Sequence, residues 1–287
     1  MRRQTKSAPE YAAGLIGAGI GTSLSPALHE REARRLGYDG EYRLFDIDEL
    51  GREPGEVGTL VREARELGLA GVNVTHPCKQ LVVPELDELS GDAEALNAVN
   101  TVVFDGDRLV GHNTDTTGFA DAFRRGLAGV ATDRVVVLGA GGAGAAVAHA
   151  MKTVGAHEVI VVDVDADRAR ALAQRLGVRA ARDLDSALAT ADGLVHATPT
   201  GMAAYPGTAV PPALLRRNLW VAEVVYMPLE TQLLRDARAR GCRTLSGAAM
   251  VALQAAGSME LFAALRPDRE RMLAHVEALT ADTRQAA

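Results

Sequence analysis

Cysteine is scarce in this chain, whose 287 residues include only Cys78 and Cys242. Two cysteines cannot build the disulfide framework of a small secreted protein, which indicates a reducing compartment. The sequence also lacks a run of about 18 apolar residues, the length that a membrane-spanning helix needs. The N-terminus resembles a signal peptide, but glycines interrupt its short apolar run, which favours a first strand and turn. These features predict a cytoplasmic protein with no membrane partner.

Clustered positive charge is absent as well. The formal net charge is −6 and the isoelectric point is near 5.7, and the lysines and arginines are scattered along the chain. Binding of nucleic acid requires a basic patch, so we expect no nucleic-acid partner. With 47% hydrophobic and 24% charged residues, the composition is that of an ordinary globular protein. The length exceeds the usual size of one domain, which predicts two.

Glycine is abundant, and one group of glycines forms a dinucleotide-binding fingerprint. An aliphatic run over residues 135–138 is followed by Gly139, Gly141 and Gly144 in G-x-G-x-x-G spacing, and then by a small-residue helical pattern. The first glycine permits a tight turn, the second lets the backbone approach a pyrophosphate, and the third lets helix pack closely on strand. A second apolar run ends at Asp163, where an acid can bind ribose hydroxyls. The arrangement predicts a dinucleotide site.

Predicted strands and helices alternate along most of the chain, which indicates an α/β fold with mainly parallel sheets. We predict a Rossmann-type doubly wound sheet over residues 116–249. A discontinuous α/β substrate domain is predicted from residues 1–115 and 250–287, because the last helices have no strand after them. A hairpin around residues 105–106 is expected as an antiparallel addition. Two short helices are expected within residues 79–96.

The first helix carries sequence signals for both of its ends. Ser25 is predicted to cap it, Pro26 suits the first helical position, and Gly37 is predicted to end it.

Polar residues of the N-terminal half concentrate at predicted strand ends, where ligand sites of α/β sheets form. They fall in four stretches, Ser23–Pro26, Asn73–Lys79, Asn97–Thr101 and Asn113–Asp115. Their hydroxyl, carboxamide, ammonium and carboxylate groups suit a small polyol that bears a negative charge. Lys79 and Asp115 can share proton transfer at a hydroxyl that is being oxidised. Taken singly, each residue also has a structural explanation as a helix cap, a turn residue or a solvated lysine.

The order and spacing of these stretches resemble the shikimate/quinate dehydrogenase family along most of the chain. The matching segments are SLSPALH, GVNVTHPCK, NAVNTV, GHNTDTTGF, VLGAGGAG, ATPTGM, VVYMPLET and GAAMVALQAA. The resemblance implies a substrate domain, a Rossmann domain and reversible hydride transfer between a nicotinamide and C3 of shikimate or quinate.

The resemblance also implies a role for each site residue. Lys79 and Asp115 match the catalytic pair, in which the lysine exchanges a proton with the reacting oxygen and the aspartate orients the hydroxyl; which of them is the formal base is left open. The implied substrate-binding residues are Ser23, Ser25, Asn73, Thr75, Lys79, Asn100, Asp115, Tyr226 and Gln254. The implied cofactor-binding residues are Gly139, Ala140, Gly141, Gly142, Ala143, Asp163, Arg168, Thr198, Thr200, Met202, Val224, Gly247 and Met250. We expect no metal ion at this site.

Some positions depart from the family pattern. Thr22 stands where the family often has histidine, and His196 replaces the asparagine of N-A-T-x-x-G-M. We interpret His196 as structural, while His76 is left open between ligand contact and loop packing. Quinate-preferring relatives often carry threonine at the position of Ser25, so this serine favours shikimate as the substrate. The difference between the two side chains is a single methyl group.

The residues after the second Rossmann strand predict NAD as the cofactor rather than NADP. Family members that use NADP resemble Asn-Arg-Thr here, whereas this chain has Asp163-Val164-Asp165. A 2′-phosphate would meet these carboxylates at close range, and the repulsion corresponds to a preference for NAD of about 100-fold or more. Arg168 can in principle pair with a phosphate. Its offset from Asp163 nevertheless matches the NAD-dependent members, in which the equivalent arginine lies near the adenosine.

Other functions remain open from the sequence. One is a dehydrogenase of aminoshikimate or another cyclitol, which differs in pocket detail only. A methylene-tetrahydrofolate dehydrogenase has a comparable two-domain plan but gives no reason for SLSP or NTD. A non-catalytic metabolite sensor would not need both Lys79 and Asp115. We expect a small-molecule substrate and a monomer or homodimer.

Overall fold

A computed structural model describes residues 10–285, with side chains described as far as Thr280. The described chain divides into two compact units. The first comprises the residues up to Ala93, Asn97–His112 and Ala255–Met272, and the second comprises Glu94–Leu96, Asn113–Gln254 and the residues from Leu273 onwards. The domain bounds predicted from the sequence stay a prediction beside this division. Within residues 10–285, no helix is long and apolar enough to cross a lipid bilayer.

The first unit contains a six-stranded sheet. Its strands are β1 (Glu10–Gly17), β2 (Asp39–Asp46), β3 (Gly71–Val74), β4 (Glu88–Leu89), β5 (Thr101–Asp105) and β6 (Arg108–His112). The helices of this stretch are α1 (Ser25–Arg35), α2 (Val57–Glu66) and α3 (Gly91–Leu96). The strand order is β2-β1-β3-β5-β6-β4, in which β1 is parallel to β2 and β3, and β5 is antiparallel to β3 and β6. The predicted mainly parallel sheet with an antiparallel hairpin is confirmed.

This topology brings three polar stretches to one edge of the sheet. The carboxyl ends of the neighbouring parallel strands β1 and β3 are each followed by a loop: one carries Ser23 and leads into α1 at Ser25, and the other carries Lys79. Since β5 runs antiparallel to β3, it begins at the edge where β3 ends, and Asn73 of β3 pairs with Thr101 of β5. The carboxyl ends of strands on either side of a crossover are where ligands bind in such sheets.

The second unit contains a six-stranded, fully parallel sheet. Its strands are β7 (Arg134–Leu138), β8 (Glu158–Val162), β9 (Arg179–Ala181), β10 (Gly193–His196), β11 (Trp220–Glu223) and β12 (Thr244–Leu245). The helices of the remaining chain are α4 (Thr114–Gly126), α5 (Gly142–Thr153), α6 (Ala166–Leu176), α7 (Leu184–Ala189), α8 (Gln232–Ala239), α9 (Gly247–Ala263) and α10 (Arg269–Gln285). The order β9-β8-β7-β10-β11-β12 is that of a doubly wound dinucleotide fold, with its switch point between β7 and β10. The predicted Rossmann-type sheet is confirmed.

Apolar runs explain why the central strands of this sheet form. Residues 135–138 are buried, as expected for a parallel strand covered on both faces. Trp220 of β11 lies flat against Gly193 of β10, where an added Cβ would come within 1.9 Å of the indole ring. The indole also packs edge-on against Phe123 at 5.0 Å between ring centroids and donates to the Ala131 carbonyl oxygen over 2.8 Å. The large side chain therefore fills the space that the glycine leaves.

Some local predictions are wrong. Residues 79–96 contain a single α-helix, α3, preceded by a short 3-10 turn at Val83–Glu85 and the two-residue strand β4, instead of two helices. The strands β4 and β9 were not predicted, because two or three residues are too few to show a period. Ser25 does not cap α1 but is its first residue; its N–H donates to the Ser23 hydroxyl oxygen over 3.2 Å. The end of α1 before Gly37, which has a φ of 88°, agrees with the prediction.

A buried aromatic cluster beneath α1 contains a histidine. The His29 ring lies 4.4 Å from that of Tyr42 and 6.4 Å from that of Phe262, and its Nδ1 lies 2.6 Å from the Tyr11 hydroxyl. Its Nε2 has no hydrogen-bond partner among the described residues. Burial lowers the pKa of His29 to about 3, so the ring is neutral in the folded chain.

His29 should make the folded state sensitive to acid. Its pKa is lower in the folded chain than the ordinary 6.5 of an exposed histidine, so the unfolded chain takes up the proton first. Stability is therefore full above pH 6.5 and falls by up to about 1.4 kcal/mol per pH unit as the pH drops from 6.5 toward 3. Urea unfolding between pH 5 and 7.5 should show a smaller acid loss for His29→Phe than for the unmodified protein. Half-buried His112, whose pKa burial also lowers, contributes to both proteins alike. Equal slopes would contradict this prediction.

Candidate functional site

Buried hydrogen bonds join the polar residues at the sheet edge of the first unit. The Tyr42 hydroxyl donates to Asn73 Oδ1 over 2.8 Å and also shares a hydrogen bond with the Ser25 side chain. The Asn73 amide donates to the Thr101 and Ser258 hydroxyl oxygens, each over 2.9 Å. Burial raises the pKa of Tyr42, so its phenol stays protonated and acts as a donor. Two predicted site residues, Ser25 and Asn73, thus belong to one network.

The same network reaches a third predicted residue, Asn100. The Thr101 hydroxyl donates to Asn100 Oδ1 over 2.9 Å, and the Asn73 amide contacts the Asn100 carbonyl oxygen at 3.1 Å. Tyr42 and Ser258 were not singled out from the sequence, and Thr101 was named only as the end of a polar stretch. A usable signal existed for Ser258, which lies one helical turn after Gln254 on α9.

A buried acid anchors the loop that carries the two serines. Asp46, at the end of β2, accepts hydrogen bonds from the N–H groups of Gly19 and Ile20 over 3.1 and 2.7 Å. Burial alone would raise the pKa of Asp46, but the backbone donors outweigh it and hold this pKa below its usual value. The carboxylate is therefore charged and fixes the loop between β1 and α1. Asp46 was not singled out from the sequence, although it is an acid near the end of a predicted strand.

The loop after β3 carries Thr75 and Lys79. The Thr75 N–H donates to the Ile16 carbonyl oxygen over 2.9 Å, and the Lys79 carbonyl oxygen accepts from the Val99 N–H over 2.8 Å. Gly17 makes room for this loop, because an added Cβ would lie 2.3 Å from the Thr75 methyl carbon. Lys79 is half-buried on a fixed backbone, whereas His76 is exposed.

In the second unit, Asp115 and Gln254 lie on two helices that cross closely. Asp115 is buried in the first turn of α4, where the helix N-terminus favours a negative charge. The crossing point is Gly118, where an added Cβ would lie 2.7 Å from the Gln254 backbone nitrogen of α9. This approach lets the Thr114 hydroxyl donate to Gln254 Oε1 over 3.5 Å. Gln254 is therefore half-buried beside Asp115's helical turn and is not an ordinary surface glutamine.

Two glycines of the fingerprint, Gly139 and Gly144, occupy positions that leave no room for a side chain. Gly139 has a φ of 113°, and an added Cβ would lie 2.6 Å from the Ala197 carbonyl oxygen. At Gly144 an added Cβ would lie 1.9 Å from the Gly139 carbonyl oxygen. In contrast, Gly141 and Gly142 face open space, because a Cβ added at either position would meet no other residue within 4 Å. The loop therefore offers an uncovered backbone at the start of α5, which fits a pyrophosphate.

Asp163 is the best-anchored residue of the predicted cofactor site. Its carboxylate accepts from the N–H groups of Ala140 and Asp165, over 2.7 and 2.8 Å, and from the Arg168 guanidinium over 2.9 Å. The Asp163 side chain is 6% exposed, whereas that of Arg168 is 57% exposed. Burial alone would raise the pKa of Asp163, but Arg168 and the two backbone donors hold it below its usual value. The strand end thus carries a fixed negative charge.

The loop after β10 carries Thr198, Thr200 and Met202. The Thr198 hydroxyl lies 2.5 Å from His196 Nε2 and accepts from the Thr200 N–H over 3.3 Å. His196 is buried, with Nδ1 at 2.8 Å from Glu223 Oε1, which supports its structural interpretation. Glu223 was not singled out from the sequence, although an acid inside a predicted buried strand requires partners.

Other predicted cofactor residues lie just after the carboxyl end of β11 and in the first turn of α9. Gly247 packs on the Val224 carbonyl oxygen, which an added Cβ would approach to 2.3 Å, and Met250 is buried one turn further on. Met202 and Tyr226 line an apolar cavity of about 560 Å³ within this unit. Burial raises the pKa of Tyr226, so its phenol is neutral.

Comparison with known proteins identifies relatives of the whole chain. The family described as "Shikimate dehydrogenase substrate binding domain" matches residues 15–102, and "Shikimate / quinate 5-dehydrogenase" matches residues 122–214. A shikimate dehydrogenase (NADP(+)) of Streptomyces avermitilis is 59% identical, over 94% of this chain and 96% of the relative. A quinate/shikimate dehydrogenase (NAD(+)) of Corynebacterium efficiens is 47% identical, over 91% and 95%.

A solved structure supports the same relationship. The quinate dehydrogenase from Corynebacterium glutamicum in complex with NAD superposes with a TM-score of 0.88 at 43% identity, covering 93% of this chain and 98% of that one. Sequence and fold agree over both units, so this chain belongs to the shikimate/quinate dehydrogenase family.

Proposed function

We propose that this chain catalyses reversible, NAD-dependent hydride transfer at C3 of shikimate, with quinate as a second candidate substrate. The observation that carries the proposal is the buried network of the first unit, which fixes Ser25, Asn73 and Asn100 at one sheet edge. Hydroxyl and carboxamide groups in fixed positions suit a ring that bears several hydroxyls and a carboxylate. Membership of the family excludes the methylene-tetrahydrofolate alternative.

Lys79 and Asp115 are the proposed catalytic pair. The nicotinamide, when bound, supplies the hydride acceptor; the residues of the chain handle the proton. Lys79 is held by its backbone in the loop after β3, and we propose that its amine exchanges the proton of the reacting hydroxyl. Asp115 is buried at a helix N-terminus, which suits a carboxylate that orients that hydroxyl. A non-catalytic sensor would not require both groups.

The proposed choice of NAD over NADP depends on Asp163. Names of relatives do not decide it, because they include both an NADP(+) and an NAD(+) enzyme. The residues present fit a dinucleotide, since Gly141 and Gly142 leave the backbone open at α5. After the end of β8, beside the glycine loop, the Asp163 carboxylate is charged and anchored by three donors. A ribose hydroxyl can donate to it, whereas a 2′-phosphate would be repelled.

One assay tests the proposed function. Purified protein is mixed with shikimate or quinate and with NAD or NADP, and the absorbance of the reduced nicotinamide is followed. We expect the highest kcat/KM for shikimate with NAD. An absence of turnover in all four combinations would instead support the aminoshikimate or cyclitol dehydrogenase, or the sensor. The cytoplasmic location and the monomeric or dimeric state also stay predictions.

A further inference from the structure

We infer that His196 and Glu223 are positioning residues, which fix the Thr198–Met202 loop for the nicotinamide half of the cofactor. The inference rests on the proposed function, because it assumes that a dinucleotide binds across β7 and β10. Asp163 and the glycine loop serve the adenosine and pyrophosphate on one side of the switch point. The other half of a dinucleotide then lies over the ends of β10 and β11, where this loop begins.

Glu223 is the centre of the arrangement. Its Oε1 lies 2.8 Å from His196 Nδ1 and accepts from the Val225 N–H over 3.1 Å, and its Oε2 accepts from the Thr231 hydroxyl over 3.0 Å. The side chains of Glu223 and His196 are 0% and 1% exposed. A buried carboxyl group needs such donors, and here they come from the ends of β10 and β11 and from the start of α8.

The bond to Glu223 determines what His196 presents to the loop. With Nδ1 held at the Glu223 carboxylate, the ring turns its other nitrogen, Nε2, toward the loop. The Thr198 hydroxyl lies 2.5 Å from Nε2 and also accepts from the Thr200 N–H over 3.3 Å, so both contacts restrict its orientation. Glu223 thereby orients the Thr198 hydroxyl through two successive hydrogen bonds, with His196 between them. Thr198 is one of the residues that are predicted to bind the cofactor.

Thr231 lies beside the opposite end of the loop. This residue caps α8, accepting from the Leu234 N–H over 3.3 Å while it donates to Glu223. It also packs against Gly201, which has a φ of 100° and whose added Cβ would lie 3.4 Å from the Thr231 side chain. Glu223 therefore binds His196, which contacts Thr198 at one end of the segment, and also Thr231, whose side chain lies beside Gly201 at the other end. Two apolar side chains in place of His196 and Glu223 could fill the same volume, but they could not orient the Thr198 hydroxyl.

A double-mutant cycle tests this inference. His196→Ala and Thr198→Val are each expected to lower kcat/KM for NAD by about 10-fold, and the double variant should be no worse than the poorer single variant. ADP-ribose, which lacks the nicotinamide, should bind to all three with a Kd within about twofold of the unmodified protein, measured by calorimetry. Multiplicative effects of the two changes would overturn the inference, as would an equal loss of NAD and ADP-ribose binding.

Controls separate positioning from folding. Asp192→Ala removes the side-chain acceptor of the Arg134 N–H at the amino end of β7 in the same sheet, so it should lower Tm without changing kcat/KM. If His196→Ala does not fold, His196→Asn, which keeps a donor toward Glu223, takes its place in the cycle. If the unmodified protein turns over no substrate, the proposed function fails. Calorimetric NADH and ADP-ribose affinities of the same variants then still test the inference.

Discussion

Lys79→Ala should lower kcat by about 100-fold or more while the Kd for NAD stays unchanged. The loss is expected because alanine has no group that can exchange a proton with the reacting hydroxyl. Lys79→Arg should be nearly as inactive, since a guanidinium keeps the charge but does not release its proton at neutral pH. The two variants together distinguish proton exchange from simple attraction of a negatively charged substrate. Steady-state kinetics with shikimate give kcat, and calorimetry gives the affinity for NAD.

The division of the chain explains why cofactor binding should survive. Lys79 belongs to the first unit, whereas the predicted cofactor-binding residues, Gly139 through Met250, all belong to the second. A suitable control is Gln80→Ala, which changes an exposed neighbour in the same loop and should leave kcat within about twofold. Near-normal turnover of Lys79→Ala would remove Lys79 from the catalytic role. A parallel loss of NAD affinity would instead indicate a wider disturbance of the protein.

Much of the fold was predictable because its signals are local. The aliphatic run before Gly139 and the spacing of the three glycines require only neighbouring residues, and they predict strand, turn and helix correctly. The strands β4 and β9 were missed because pairing with distant strands defines them, with little help from their own few residues. Secondary structure of this kind depends on tertiary context.

The same distinction applies to the site. Residues in the motif loops could be predicted, because their order along the chain resembles a known family. The residues that support them could not: Ser258 contacts Asn73 across 185 positions of sequence, and Asp46 holds a loop 26 positions away. Glu223 and His196 show a further limit, since a motif comparison finds a substituted residue but not the partner that gives it a role. Only the hydrogen bonds show that Ser23, rather than Ser25, binds the first N–H of α1.

Replacing Asp163 should change the choice of cofactor. The unmodified protein is expected to prefer NAD over NADP by about 100-fold or more in kcat/KM, and Asp163→Ala should reduce this ratio by about 10-fold or more. Part of the reduction comes from weaker NAD binding, because the ribose loses its acceptor. The rest comes from NADP, whose 2′-phosphate no longer meets a buried negative charge. Kinetics with both cofactors at saturating shikimate measure the ratio.

Asp163→Asn separates charge from support of the glycine loop. The Asp163 carboxylate accepts hydrogen bonds from the Ala140 N–H and from the Arg168 guanidinium. Alanine at position 163 removes both of these hydrogen bonds. Asparagine keeps one acceptor oxygen and lacks the charge. If repulsion of the phosphate sets the preference, both variants should lower the NAD/NADP ratio. If support of the loop were the main effect, alanine alone would weaken both cofactors and the ratio would stay constant.

Arg168 supplies the decisive second change. In the unmodified protein its exposed guanidinium is paired with Asp163, which limits what it can offer to a 2′-phosphate. Removal of Asp163 leaves that cation beside the exposed Asp165 carboxylate only, 3.6 Å away. The gain for NADP in Asp163→Ala should therefore disappear in the double variant with Arg168→Ala. Arg168→Ala alone should change the ratio little, because Asp163 still repels the phosphate. A preference of the unmodified protein for NADP would show that Arg168 outcompetes Asp163, and the proposed choice of NAD would then be wrong.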